Sequence, residues 1–370
     1  MHATSLYIIT ALRNHDNPEA FLMTSIYKKL IISGIKQETH NSKTIYFEEE
    51  NGEEISYRSG QYLTLILPGH AAEIRRSYSL ISSPLLKEPL AIGVKRIPNG
   101  EFSRWLVDKA KVGDEVLTSG VGGFFTLPDN IKDFEQIFFL AAGSGITPVL
   151  SLIKSALLSH PAISIILIYS NRSREDCMYH DELENLRERY PDNLKIAFLY
   201  SNADDINRAR LHRELLITFL TKYNTAKPEK TLSYTCGPID YMRMCTYAFR
   251  LKNIPFDNIK RENFVSDKPL HLPQPHDKNG HWVKIRFKNQ EQQIHVQYPE
   301  TILQAAKKAH LKLPYSCEAG VCGNCAAHIT EGKVWMSYNE ILTEKDLNKG
   351  LTLTCVGYPV DGDVSLEVKW

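Results

Sequence analysis

Four cysteines near the end of this chain constrain it more than any other feature. Cys317, Cys322, Cys325 and Cys355 fall within residues 317–370 with the spacing C-x4-C-x2-C-x29-C. Zinc sites usually present two tight C-x2-C-like pairs. One run of three thiols with a single distant fourth is instead the spacing of a plant-type [2Fe–2S] centre. The stretch Cys317-Glu-Ala-Gly-Val-Cys322-Gly-Asn-Cys325 carries little bulk at Ala319, Gly320 and Gly323. A loop around an anionic iron–sulfide core must turn backbone N–H groups inward, and glycine permits the φ values and close approach this requires. A zinc knuckle or buried free thiols are the competing readings. The other cysteines, Cys177, Cys236 and Cys245, are scattered, and an odd total of 7 makes a poor disulfide framework.

A chain of 370 residues has room for two or three domains. With 43% hydrophobic and 24% charged residues it is neither disordered nor collagen-like. Its 44 basic and 43 acidic residues give no global argument for a nucleic-acid or anionic-membrane partner. No stretch approaches the roughly 20 apolar residues of a membrane span. The N-terminal SLYIITAL run is short and leads into Arg13-Asn14-His15-Asp16 without a small-residue cleavage site, so no signal peptide is read and a cytoplasmic protein is expected.

Residues 1–23 have no clear period and read as an extension. From Thr24 the text turns strand-like: SIYKKLIIS, KTIYFEEE, ISYRSGQYLTLILP, RRSYSLISS and LAIGVKRI, with Asn51-Gly52 as a hairpin signal and a helix near Phe102–Lys109. Short strands with this much Gly and Pro punctuation predict an antiparallel β-barrel over residues 24–130. From Glu135 apolar strands (QIFFLAAG, ISIILIYSNRS, LKIAFLYS, LSYTCGP) alternate with helical text, the pattern of a doubly wound parallel sheet, assigned to 131–265. SDKPLHLPQPHDKNGH, residues 266–281, reads as a proline-stiffened linker rather than a histidine metal tract. Residues 282–370 form the cysteine-bearing domain.

Gly143-Ser144-Gly145-Ile146-Thr147-Pro148 follows one apolar strand and opens a helix. Glycines there let a phosphate approach backbone amides, the helix N-terminus adds positive potential, and Pro148 loses no hydrogen bond at an early helical position. The barrel carries Arg76-Ser77-Tyr78-Ser79 and Gly100-Glu101-Phe102-Ser103, and the α/β region carries Cys236-Gly237-Pro238. In this order the motifs resemble the ferredoxin–NADP reductase superfamily: an R-x-Y-S flavin motif, a G-x-x-S pyrophosphate turn, G-x-G-x-x-P and C-G-P. Residues 24–370 are covered. The domain order is similar to that of oxygenase reductases with a C-terminal ferredoxin domain, whose fold is a β-grasp.

The resemblance implies roles. Arg76 pairs with the FAD pyrophosphate, Tyr78 stacks on the isoalloxazine, and Ser79 hydrogen-bonds near flavin N5. Val94, Lys95, Gly100 and Ser103 complete the flavin phosphate site. Gly143, Gly145, Thr147 and Pro148 take the dinucleotide, with Thr147 and Cys236 on either side of the nicotinamide, next to Gly237 and Pro238. Phe264, in Glu262-Asn263-Phe264, covers the flavin ring. For the dinucleotide, Arg172 in Tyr169-Ser170-Asn171-Arg172-Ser173 suits a 2′-phosphate and favours NADPH. The family's usual Ser-Arg pair is Ser201-Asn202 here, with Arg208 and Arg210 nearby, and no acidic residue claims the ribose.

The expected activity is that of an NAD(P)H-dependent oxidoreductase. It passes electrons through FAD and a [2Fe–2S] cluster held by Cys317, Cys322, Cys325 and Cys355 to a separate acceptor protein, of oxygenase, hydroxylase or desaturase type. Residues 282–370 hold ten Lys/Arg and ten Asp/Glu, so the domain is not strongly acidic. Tethering makes long-range steering between flavin and cluster unnecessary. A cluster-based redox sensor, a flavin-only reductase with structural zinc, and an FMN-dependent version of the same reaction are the alternatives.

Overall fold

The computed structural model describes residues 27–50, 52, 54–67, 74–264, 272–288 and 290–368. The expected extension 1–23 and His271 of the linker lie outside them. The chain divides into two compact units, Met1–Arg261 and Glu262–Trp370.

In the first unit, β1 (Lys28–Thr39), β2 (Ser42–Glu49), β3 (Tyr62–Leu67), β4 (Ile74–Ser79), β5 (Ala91–Lys95) and β6 (Glu115–Gly122) form one sheet in the order β4-β3-β6-β1-β2-β5. A Leu80–Ile92 bridge joins its two outer strands and closes the sheet into a barrel. Alternating burial gives it a core of Leu30, Ile32, Ile45, Leu63, Leu65, Ile92 and Val94. The helix expected near 102–109 is a short α1 (Glu101–Arg104) running into a π-turn, Trp105–Lys109.

The barrel corrects the Asn51-Gly52 hairpin. β2 turns back on β1 at His40-Asn41, where Thr39 pairs with Ser42, and its other neighbour is β5; β3 pairs with β4 and β6 instead. Thr39, Asn41 and Ser42 close the turn with side-chain hydrogen bonds. Gly52 has φ of 69° and its N–H meets the Glu49 carbonyl, so this turn redirects the chain without starting a paired strand. Asn51 lies outside the described residues.

The second sheet has the order β11-β10-β7-β8-β9: β7 (Gln136–Ala142), β8 (Ser164–Asn171), β9 (Leu194–Tyr200), β10 (Thr231–Cys236) and β11 (Ile259–Glu262). β10, β7, β8 and β9 pair in parallel. Their apolar runs are buried because α2 (Ile146–Ser159), α3 (His180–Arg189), α4 (Arg213–Tyr223) and α5 (Ile239–Leu251) cover the sheet. β7 starts the sheet, with β8 on one side and β10 on the other, so the chain reverses its winding direction at β7. A doubly wound sheet opens a ligand crevice at the carboxyl ends of such strands.

Barrel and parallel sheet meet along α2, which is buried from Ile146 to Leu157. The seam is polar. Ser151 Oγ donates to the Ser82 carbonyl at 2.6 Å and Ser155 Oγ lies 2.8 Å from Ser83 Oγ. Lys154 Nζ, on a side chain 6% exposed, reaches Glu88 of the barrel at 3.1 Å and Glu182 of α3 at 2.5 Å. Higher along the seam, Tyr179 (φ 59°) puts its hydroxyl 3.2 Å from Thr44 Oγ1. Gly93, opposite Thr44 in the ladder, makes the approach possible. A Cβ on Gly93 would stand 2.4 Å from Thr147 Cγ2 and 2.5 Å from the Tyr179 hydroxyl.

In the second unit, β12 (His281–Phe287), β13 (Gln290–Val296), β14 (Ala326–Met336), β15 (Leu351–Leu353) and β16 (Gly357–Val368) form a mixed sheet ordered β13-β12-β16-β14-β15. α6 (Ile302–Lys308), opened by a Thr301/Gln304 capping box, buries Ile302, Leu303, Ala305 and Ala306. A second short helix, α7 (Glu344–Asn348), has its own box at Thr343 and Asp346. The described end of the expected linker is fastened to this unit. Asp277 accepts from the Asn279 and Asp361 N–H groups, both at 2.9 Å, and from His281 at 2.7 Å; His276 contacts Asp361 at 2.9 Å. His276 and His281 therefore each take a carboxylate partner and do not form a metal tract.

Two outcomes test these contacts. Gly93→Ala is expected to cost about 1–3 kcal/mol through overpacking, read as a lower urea midpoint at unchanged slope. The hydrogen bonds on Asp277, led by the Asn279 and Asp361 amides, depress its carboxyl below the usual range. Its contribution is therefore full above the ordinary carboxylate value and is lost as pH falls through the depressed one. The melting-temperature gap between wild type and Asp277→Ala should be present at pH 6 and shrink below about pH 4.

Candidate functional site

On the barrel, β4 alternates its side chains. Arg75 turns inward, 6% exposed, with Nη2 2.7 Å from the Tyr27 hydroxyl and its guanidinium 5.5 Å from that ring. Arg76 turns out to solvent and spends one donor on the Arg75 carbonyl at 2.7 Å, leaving its fork available to an anion. Tyr78 is half-buried and stands edge-on to Phe102 at 5.8 Å; burial pushes its hydroxyl far above the ordinary tyrosine range, so the ring serves as neutral apolar surface. Ser79 is 3% exposed beside it.

Ser103 sits in the Gly100 turn. Its hydroxyl donates to the Gly100 carbonyl and accepts from the Ile97 N–H, both at 3.1 Å, so it builds the Gly100 turn. A Cβ on Gly100 would stand 2.5 Å from that hydroxyl. Val94 is fully buried in the barrel core, so only its backbone can face a ligand. Lys95, expected on the flavin phosphate, has its Nζ 3.8 Å from the point where a Cβ on Gly143 would stand. The lysine thus faces the loop after β7.

That loop is a single turn, Gly143–Gly145, leading into α2. Gly143 has φ of 55°, and its carbonyl accepts from the fully buried Tyr169 hydroxyl at 3.0 Å. Gly145 packs on the end of β10, where a Cβ would stand 2.1 Å from the Cys236 carbonyl oxygen. Thr147 Oγ1 donates to the Ser144 carbonyl at 2.9 Å, and Pro148 is buried in the first turn of α2. Cys236 is fully buried, with Gly237 half-buried and Pro238 exposed as the chain leaves the strand. Glycine at 143 and 145 and the β7–β10 pairing therefore bring G-x-G and C-G-P side by side. Arg172, exposed at the end of β8, is held next to Ser201-Asn202 by the Asn202 N–H on its carbonyl at 3.0 Å. Phe264 is 47% exposed, two residues beyond β11.

In the second unit, the cysteine loop has left-handed backbone at Glu318 (φ 53°), Gly320 (75°) and Gly323 (79°). A Cβ on Gly320 would stand 2.9 Å from the Tyr338 carbonyl oxygen. The Ala319 N–H points at Cys317 Sγ (3.4 Å) and the Asn324 N–H at Cys322 Sγ (3.5 Å). The distant fourth cysteine arrives through strand pairing. Ala326 pairs with Leu353, and Thr354 donates both its N–H and its hydroxyl to the Cys325 carbonyl at 3.1 Å. Cys355, the next residue, is thereby brought to the three-cysteine loop.

The donor set fits a cationic metal core. The Cys322 and Cys355 thiols hydrogen-bond Cys317 and hold it far below the thiol range. The same bonds, with burial, push Cys322 and Cys355 up. Four such thiols cannot ionise together in this space without positive charge between them. One loop carrying three thiols, with the fourth delivered by the β14–β15 pairing, is a donor set that would serve two irons sharing four thiolates. Asn324 adds a further sign. It is fully buried, and neither Oδ1 nor Nδ2 has a partner among the described residues. Such an orphaned amide costs roughly 1–3 kcal/mol unless a bound group satisfies it.

Sequence reasoning missed Gly93, Tyr179 and Tyr169. Nothing local marks them, because each acts on a residue from a distant strand or loop.

A flavin-type barrel, a dinucleotide-type sheet and a four-thiol iron–sulfur loop on one chain define an iron–sulfur flavoprotein oxidoreductase. Three family profiles match: an oxidoreductase FAD-binding domain over residues 29–126, an oxidoreductase NAD-binding domain over 139–246 and a 2Fe-2S iron-sulfur cluster binding domain over 285–360. The chain is 30% identical over 352 residues to the ferredoxin reductase component of 3-ketosteroid-9-alpha-monooxygenase from Mycobacterium tuberculosis, covering 91% of this chain and 95% of that one. It is 28% identical to an Escherichia coli component of 1,2-phenylacetyl-CoA epoxidase, covering 92% and 97%. Phthalate dioxygenase reductase shares the fold at TM-score 0.58 and 22% identity, with 94% of this chain and 99% of that one covered. The chain belongs to this family of ferredoxin-type reductase components with FAD-binding, NAD-binding and 2Fe-2S domains. No helix among the described residues is long and apolar enough to cross a membrane.

Cys322→Ser should remove the iron–sulfur absorption and half the bound iron or more, while flavin bands and ferricyanide reduction remain. Full iron and sulfide content in the variant would remove Cys322 from the ligand set.

Proposed function

We propose that the chain takes electron pairs from NAD(P)H and passes them singly to a separate oxygenase, hydroxylase or desaturase. Support for this comes chiefly from the approach of β5 to the loop after β7. Gly93 lies against Thr147 and Lys95 Nζ beside Gly143, so the flavin strand and the dinucleotide loop form one site. When bound, FAD supplies the change from two-electron to one-electron chemistry and the [2Fe–2S] cluster supplies one-electron relay.

The chain's own groups bind and orient. Arg76 would hold the FAD pyrophosphate, the Tyr78 ring would supply apolar surface for the isoalloxazine, and Ser79 would offer it a hydrogen bond. Gly100 and Ser103 shape the phosphate turn, with the Val94 backbone along its edge. Lys95, beside Gly143, would offer its positive charge to a cofactor phosphate. Gly143, Gly145 and Pro148 seat the dinucleotide pyrophosphate, Thr147 and Cys236 flank the nicotinamide, and Gly237 and Pro238 leave room for it. Phe264 remains the resemblance's candidate for covering the flavin ring. Cys317, Cys322, Cys325 and Cys355 ligate the cluster. With both cofactors bound, the transfer between them would require no side chain as general acid or base, so the chain's residues would only bind and orient.

Arg172, exposed next to Ser201, favours NADPH over NADH through its charge on a 2′-phosphate. The acceptor class follows the relatives, which serve a 3-ketosteroid monooxygenase, a phenylacetyl-CoA epoxidase and, in Pseudomonas aeruginosa, a glycine betaine monooxygenase. The working boundaries are 24–130, 131–265, a linker at 266–281 and 282–370, in a cytoplasmic protein.

The test is an anaerobic titration of purified protein with NADPH and, separately, NADH. Bleaching of both flavin bands and the broad red shoulder is expected, faster with NADPH. Flavin bleaching alone in a zinc-containing preparation would overturn the cluster. No bleaching with either nucleotide would favour a cluster-based sensor. Arg172→Ala should raise KM for NADPH about tenfold or more and leave NADH unchanged, as expected for one charge-assisted contact; equal losses would move the 2′-phosphate elsewhere. Arg76→Ala should lower FAD occupancy, whereas bound FMN in the wild type would replace the FAD assignment.

A further inference from the structure

The orphaned amide of Asn324 has a consequence beyond marking the cluster's place. Asn324 sits between two ligands in Cys322-Gly323-Asn324-Cys325, and it is fully buried. Its backbone is committed to the loop through the N–H on Cys322 Sγ at 3.5 Å. Neither side-chain atom has any partner among the described residues. Elsewhere in this unit Asn339 binds the Leu342 carbonyl and the Ile341 and Leu342 amides, Thr354 the Cys325 carbonyl, and Glu318 the Lys307 ammonium. A buried amide in a native fold finds a partner in protein, water or a bound group. The iron–sulfide core and its four thiolates together carry net negative charge, and the atoms they present to the loop are sulfur acceptors, so the amide meets them with a donor and not with its oxygen.

We propose that Asn324 Nδ2 donates a hydrogen bond to a sulfur of the [2Fe–2S] cluster and thereby sets the cluster's reduction potential. The inference rests on the cluster reading above. The reduced cluster carries one more negative charge than the oxidised one, so a donor N–H stabilises it more and raises the potential. Asn324 is a positioning and tuning residue; it is neither a ligand nor a proton donor. An asparagine gives the loop a dipole that cannot ionise. Its effect is therefore constant with pH, unlike that of a carboxyl or imidazole at the same place.

The experiment uses full-length holoprotein, with iron and acid-labile sulfide measured first. Wild-type protein labelled with 15N only in asparagine side-chain amides is reduced and examined by pulsed EPR. A 15N coupling is expected, and it should be lost in Asn324→Ala. In parallel, EPR-monitored potentiometry of Asn324→Leu, which keeps the shape and removes both polar atoms, should show a lower potential. At a fixed potential the reduced-to-oxidised ratio is expected to fall about tenfold, about 59 mV for one electron. Asn324→Ser, which restores a small donor, should recover part of the loss. If Asn324→Leu does not assemble a cluster, the serine variant and the labelled wild type still decide. Absence of the coupling together with a ratio changed less than twofold, in protein with full iron and sulfide, would overturn the proposal and assign the amide to trapped water. Absence of iron and sulfide from the wild type would overturn the cluster reading instead.

Discussion

The contact between β5 of the barrel and the start of α2 is what the first unit depends on. Two sheets of different construction must place their edges side by side, and a side chain at residue 93 would hold them apart. With glycine there, Thr147 and the Tyr179 hydroxyl close onto the strand, and Lys95 reaches the loop at Gly143. The rest of the seam keeps that approach in register. Lys154 is neutralised on both sides by Glu88 and Glu182, while the serines of α2 satisfy barrel carbonyls and hydroxyls. A buried ion pair of this kind adds little net stability, and losing one partner is costly, so its value lies in fixing one arrangement.

The second unit solves an electrostatic problem. Its sheet brings Cys355 to the three-cysteine loop by pairing β15 with β14, and the result is a concentration of thiols that repel when ionised. Left-handed turns at Glu318, Gly320 and Gly323 direct amides toward sulfur, which offsets part of the charge. Only a cationic centre offsets the remainder. The same loop leaves the Asn324 amide without a protein partner, so stability and redox tuning meet in one short stretch.

Much of this is legible in the chain itself. The three clustered cysteines and the two glycine motifs are local signals: spacing along the backbone fixes what a single loop can wrap or cradle. The parallel strands are legible because burial on both faces requires continuous apolar runs such as QIFFLAA. What local reading leaves open has the same origin. Asn51-Gly52 has the chemistry of a hairpin turn, yet whether a turn joins paired strands depends on what lies beside β2, and that is β5. Ser103 matches a phosphate motif, and only its neighbours reveal that its hydroxyl closes the turn at Gly100. The resemblance implies a flavin phosphate contact for Lys95, and only the fold adds that its side chain lies beside a loop some fifty residues further on. Asp277, the partner of His281, is four residues away, but Asp361, the partner of His276, lies on a strand that no local spacing connects to it.

The sequence by itself determined the kinds of site motif present: a four-cysteine set, a glycine-rich turn at a strand end, and a barrel carrying the arginine–tyrosine motif. Those depend on residue type and short spacing, which the backbone enforces within a few residues. Only the tertiary structure decided which sites face one another, which hydroxyls and ammonium groups remain available, and which buried amide lacks a partner. Such facts come from side chains far apart in the chain competing for the same space, and no local pattern records the outcome.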